Sequence, residues 1–202
     1  MWRLRGLDGW RGVLMACLLL AGTQQLAGAG IIKAKAHLAP HLIGRAWHDT
    51  LAAGGVPIRP WPWADTWPVA RLRVPALGED LLVLAGDSGN ALAFGPGHAL
   101  ASAQLGSSGL AVVAGHRDTH FSFLRRVHPG VEVQLELPEG SVRYYRVTGV
   151  RIANAQRELL WAAQGRERLL LVTCFPFDGL RAGGPLRYVV EAQPVEKEIY
   201  NL

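Results

Sequence analysis

Val131-Glu132-Val133-Gln134-Leu135-Glu136-Leu137 alternates apolar and polar residues along its whole length. That period of two belongs to a strand with one buried face and one wet face. Working outward, β-branched runs recur at Ala70–Val74, Leu81–Leu84, Ala111–Ala114, Tyr144–Ile152, Leu169–Thr173 and Arg187–Ala192, parted by Gly, Pro and Asn. Phe121–Val127 reads as a short helix between them. Many short strands with few helices argue for an all-β fold, closed or nearly closed into a barrel, rather than a parallel α/β sheet. There is no internal repeat.

Upstream of this region the composition changes. Val56 to Pro68 carries Pro57, Pro60, Pro62 and Pro68 together with Trp61, Trp63 and Trp67, which excludes a regular helix. The tryptophans of this linker are expected to pack on the domain. Before it, Leu38, Leu42, Ile43, Ala46 and Trp47 have helical spacing, ended by Gly54-Gly55.

Val13 to Ile32 is a run of 20 residues without a charged side chain, about 30 Å as a helix and enough to cross a bilayer. Arg3, Arg5 and Arg11 precede it, and Lys33 and Lys35 follow. The slight basic bias favours a cytoplasmic N-terminus and an extracytoplasmic domain. Ala27-Gly28-Ala29 would also suit a cleaved signal peptide. An uncleaved anchor is preferred, because the helical pattern continues through Lys33–Thr50. The chain therefore divides into a cytoplasmic N-terminus (1–12), a transmembrane anchor (13–32), a helix and Pro/Trp linker (33–68), and a barrel domain (69–202).

The 202 residues carry 21 basic and 16 acidic side chains, a net charge of +5. Basic residues are scattered among acidic ones instead of clustering with aromatics, which argues against a nucleic-acid partner. Two cysteines are present, Cys17 inside the apolar run and Cys174 at the end of Leu169-Leu170-Leu171-Val172-Thr173-Cys174. Cys174 thus has no disulfide partner in the domain. An unpaired cysteine outside the cytoplasm is unusual, which raises the weight of a functional thiol over a small buried hydrophobe.

Pro176 takes the chain out of the sheet directly after Cys174, leaving the thiol at a strand end. His116 follows the strand Ala111–Ala114 in Gly115-His116-Arg117-Asp118-Thr119-His120, a junction from which an imidazole can serve a neighbouring strand end as acid or base. His120, four residues on, is read first as a structural histidine and second as a contact for substrate. A metal shared by the two histidines would need a helix here, and Gly115 favours a turn; no HExxH or CxxC spacing is present. No metal and no cofactor are expected. Arg187 interrupts the apolar strand Leu186-Arg187-Tyr188-Val189-Val190. It either alternates to solvent or offers donors to a developing oxyanion. Arg181, beside Ala182-Gly183-Gly184, competes for that role.

Gly115-His116-Arg117-Asp118-Thr119-His120-Phe121, Leu171-Val172-Thr173-Cys174 and the Arg187 strand, taken in order, resemble the sortase family. Pro62-Trp63-Ala64-Asp65-Thr66 and Phe94-Gly95-Pro96-Gly97-His98 are similar to the sortases of Gram-negative, largely marine, bacteria. The resemblance covers nearly the whole chain. It implies an eight-stranded sortase-like β barrel with short helices behind an N-terminal transmembrane helix, in the inner membrane. It further implies a Cys174–His116–Arg187 site, with Thr173 as an added substrate-binding candidate. The implied reaction is transpeptidation: an LPxTG-like sorting signal is cut between Thr and Gly through a thioacyl-enzyme, and an amine of unspecified identity takes the acyl group. No closely spaced Asp and Glu point to calcium dependence. A cysteine peptidase, with water resolving the same intermediate, is the nearest rival. A non-catalytic anchored β domain is the second.

Overall fold

Leu110–Ala114 (β4) and Arg168–Cys174 (β7) are nearly continuous apolar runs, and they pair in parallel at the centre of one wall. Strands buried on both faces have this composition, because each face must meet apolar partners. Ala111, Val113, Leu169 and Leu171 point inward to the main core. Leu110, Val112, Leu170 and Val172 point outward, where Ala99, Ala153 and Val189 complete a second buried apolar layer.

The computed structural model describes residues 6–158, 165–179 and 184–196, without the side chains of residues 6–9, 26–37 and 90. Six further strands complete the barrel: Pro68–Val74 (β1), Glu79–Ala85 (β2), Gly97–His98 (β3), Glu132–Glu136 (β5), Val142–Asn154 (β6) and Leu186–Pro194 (β8). Their order is β1-β2-β3-β4-β7-β8-β6-β5, and β5 closes on β1. All pairings are antiparallel except β2 with β3 and β4 with β7. Closure leaves no open sheet edge. Residues 131–137 alternate buried and half-buried, as their sequence demands. The expected helix near Phe121 is a 3₁₀ turn, Ser122–Arg126.

β3 is the strand that sequence reading does not find, since two residues carry no period. Its place is fixed by close backbone approach: a Cβ on Gly97 would lie 2.1 Å from the Gly86 carbonyl oxygen. Here the two motifs around Trp63 and Phe94 meet. Trp61 packs edge-on against Phe94 at 5.4 Å, and the buried Thr66 hydroxyl donates to the Ala85 carbonyl at 2.7 Å. The linker therefore lies on the barrel, as expected, although Trp63 itself is exposed.

A long helix, Gly6–Ala52 (α1), precedes the barrel and contains Pro40. The chain divides into two units, Met1–His41 and Leu42–Leu202. In the second unit Ile43, Ala46, Trp47 and Thr50 are buried along one helical face. Gly54 and Gly55, with φ of 65° and 95°, end the helix in the left-handed conformation glycine adopts freely. In the first unit Val13, Leu14, Met15, Leu18, Leu19 and Leu20 are exposed. The transmembrane helix expected over 13–32 is not found: among the described residues no helix is long and apolar enough to cross a membrane. That run continues into residues 26–32, whose side chains lie outside the described ones.

Candidate active site

The outer apolar layer of β4, β7 and β8 leads, at one end of the barrel, to polar residues. Cys174, the last residue of β7, stands directly opposite Arg187 of β8 in the antiparallel register. Opposed residues project to the same face, and both side chains are half-buried. Nη1 of Arg187 donates to the carbonyls of Leu186 at 2.9 Å and Gly184 at 2.5 Å, which holds the guanidinium over the start of its strand. Arg181, its competitor, lies outside the described residues.

On the other side of β7 the parallel ladder with β4 ends at Ala114 and Val172. Contact continues one step further. The Gly115 amide donates to the Val172 carbonyl at 3.1 Å, and the buried Thr173 hydroxyl donates to the Gly115 carbonyl at 2.7 Å. His116 and Cys174 are the next residue on each strand. Three neighbouring strand ends, β4, β7 and β8, thus bring His116, Cys174 and Arg187 to one rim.

The turn that presents His116 is tight for a stated reason. A Cβ on Gly115 would fall 2.7 Å from the Phe121 ring, which is itself fully buried. Only glycine lets that ring close over the strand end, and the Phe121 amide then donates to the His116 carbonyl at 2.9 Å. His116 is exposed at the resulting bend. His120 is half-buried beside it: burial first, then the charge of His116, pushes its pKa down from the usual imidazole value, and Asp118 opposes this. No group of three or more His, Cys, Asp or Glu suited to a metal occurs among the described residues.

Thr173, a candidate for substrate contact, is buried, and its hydroxyl is committed to the Gly115 carbonyl. It ties the cysteine strand to the histidine turn instead of facing a groove. Beyond Cys174, Phe175, Phe177 and Tyr188 form an aromatic cluster with ring separations of 5.0 to 6.4 Å. Sequence reading passes over Arg117. Its Nη1 donates to the Pro176 carbonyl at 2.8 Å, and its Nη2 to the Gly179 carbonyl. Its only signal in the sequence is its place beside His116, since the acceptors lie some sixty residues away and are backbone atoms.

A thiol, an imidazole and a guanidinium on one rim can form, protonate and stabilise an acyl-enzyme and its oxyanion. The family model for the sortase domain matches residues 72–195, which span every strand from within β1 through β8. The chain belongs to the sortase family. Sortases are cysteine transpeptidases acting on peptide bonds. Sortase D of Bacillus subtilis is 27% identical over 124 residues, 61% of this chain and 62% of its own length. The chain therefore matches less than two thirds of that relative. Sortase A from Corynebacterium diphtheriae has a similar fold, with a TM-score of 0.60 at 20% identity over 82% of this chain and 87% of its own. A Clostridium perfringens Sortase D5 transpeptidase reaches 0.56 at 19% identity, over 64% and 80%.

Proposed function

We propose that this sortase is a transpeptidase that cuts an LPxTG-like sorting signal between Thr and Gly and passes the acyl group to an amine. The observation that carries the reading is the register of three strand ends, with Cys174 opposite Arg187 and His116 on the parallel neighbour. The Cys174 thiolate attacks the Thr carbonyl carbon. The C–N bond breaks as His116 protonates the leaving Gly amine, and a thioester remains on the sulfur. An incoming amine attacks that thioester, His116 takes its proton, and the thiolate departs. Arg187 steadies the oxyanion in both steps; its Nη1 is held by Gly184 and Leu186, and a guanidinium has five N–H donors in all.

Membrane attachment through Val13–Ile32, with the barrel outside the cytoplasmic membrane, belongs to the same proposal and rests on that charge-free run alone. Assignment to the Gram-negative type rests on the motifs around Trp63 and Phe94.

The test is the intact mass of the full-length protein in detergent, after mixing with an LPxTG peptide. The expected result is a gain equal to the peptide cleaved after Thr, absent in Cys174→Ala and discharged by an added amine. No adduct with any peptide of a varied panel, on folded protein, would overturn the proposal. Discharge by water at an undiminished rate when amine is withheld would favour the peptidase reading.

A further inference from the structure

The segment after Cys174 is held by side chains from the segment that carries His116. Pro176 to Gly179 forms a turn in which the Gly179 amide donates to the Pro176 carbonyl at 3.3 Å. The Arg117 fork spans that turn, with Nη1 on the Pro176 carbonyl and Nη2 on the Gly179 carbonyl. A planar guanidinium can bridge two carbonyls in this way, and an ammonium cannot reproduce it. Gly179 is fitted to it: a Cβ there would lie 3.0 Å from Nη1 and 3.3 Å from the guanidinium carbon. A second arginine from the same segment, Arg125, lies over the Phe177 ring at 5.8 Å from its centre.

We infer that Arg117 is a positioning residue for the reaction at Cys174. It locks the Phe175–Gly179 segment to the His116 turn, so that thiol and imidazole keep their relation while substrate arrives. The β4–β7 ladder ends before either group, at Ala114 and Val172. Beyond it, the Thr173 hydroxyl ties the strands behind the thiol, and Arg117 ties them in front. The inferred role of Arg117 runs through the Pro176 and Gly179 carbonyls and not through the reacting atoms. Displacements near 1 Å at a reacting pair cost about 10²-fold in rate.

The inference rests on the acyl-transfer reading, and the measurements separate the two. In the full-length protein, Arg117→Ala is expected to lower the rate of acylation by an LPxTG peptide about 10²-fold with KM little changed. It should also speed hydrogen exchange at the Gly179 amide. Arg117→Lys keeps the charge but loses the fork, and should behave like Arg117→Ala. Gly179→Ala pushes on the guanidinium from the opposite side and should give a partial loss that disappears in the Arg117→Ala background. It also preserves the test should Arg117→Ala fail to fold. Normal acylation in Arg117→Lys, or a Gly179→Ala loss that adds in full to that of Arg117→Ala, would overturn the inference. If the wild type forms no adduct with any peptide, the transpeptidase reading fails. Exchange at Gly179 and the rate of Cys174 alkylation by iodoacetamide then judge the clamp alone.

Discussion

Two walls of one barrel treat their polar residues in opposite ways. On the β1–β2–β5 wall the outer face is a ladder of matched charges. Arg71 meets Asp80 through two hydrogen bonds of 2.7 Å, and Arg73 reaches Glu136 at 2.7 Å. On the β4–β7–β8 wall the outer face is apolar between one ion pair, Arg168–Glu191 at 3.2 Å, at one end and the Cys174–Arg187 rim at the other. Among the described residues, neither His116 nor Arg187 is ion-paired to a carboxylate. Paired charges in solvent satisfy one another and leave nothing for a ligand. A thiol, an imidazole and a guanidinium at the edge of an apolar layer keep their chemistry for what arrives.

The largest effects should therefore come from the second wall, with stability little changed. Cys174→Ala should abolish the acyl adduct in the mass measurement, and His116→Ala should lower turnover about 10³-fold, within the range general acid–base groups contribute. Robust turnover in either variant would erase the distinction between the walls. Arg187→Lys comes next, at about 10²-fold, the scale of losing one oxyanion donor. A normal rate for that variant would make Arg187 another solvated strand residue, like Arg71.

How much of this was legible in the sequence follows from the range of each interaction. The seven longer strands announce themselves through period-two or continuous apolar runs, and the order Gly-His, Thr-Cys, Arg already picks out the candidate residues that the register brings to one rim. What the sequence withholds is non-local. β3 has two residues and no pattern, and the backbone approach at Gly97 fixes it. The Thr173 hydroxyl looks available to substrate until the parallel register aims it at the Gly115 carbonyl. Arg117 reads as one more basic residue, because the Pro176 and Gly179 carbonyls it bridges are backbone atoms that any sequence could supply. The charge-free run at 13–32 shows the opposite limit: its composition is plain in the sequence, and the proposed membrane attachment rests on that composition and on no packing partner.

The two walls should also differ in where pH acts on stability. The pKa of His120 is lowered in the folded state by burial, then by His116. The unfolded chain then binds more protons than the native one as pH falls through the imidazole range. Stability is complete above about pH 6.5 and declines between there and the lowered folded value. Thermal unfolding followed from pH 8 to 5 should show this slope, and His120→Asn should flatten it. An unchanged slope in that variant would move the effect to another group. On the opposite wall Arg71 holds the Asp80 carboxyl below its usual range, so that pair's contribution fades only as pH falls below about 4.

The smallest expected effect is the Arg71–Asp80 pair itself, and it is the control for the whole contrast. Its geometry is good, with both bonds at 2.7 Å, yet the two side chains are 33% and 44% exposed. Water and salt screen such a pair, so its coupling should be about 0.5–1 kcal/mol at most in a double-mutant cycle of Arg71→Ala and Asp80→Ala. Acylation rates should be unchanged in all three variants. The coupling should shrink further at 1 M salt, where the Debye length is about 3 Å. A coupling well above 1 kcal/mol, or any loss of acylation, would mean that this wall is tied to the reacting rim. Matched charges would then be more than a solvated surface.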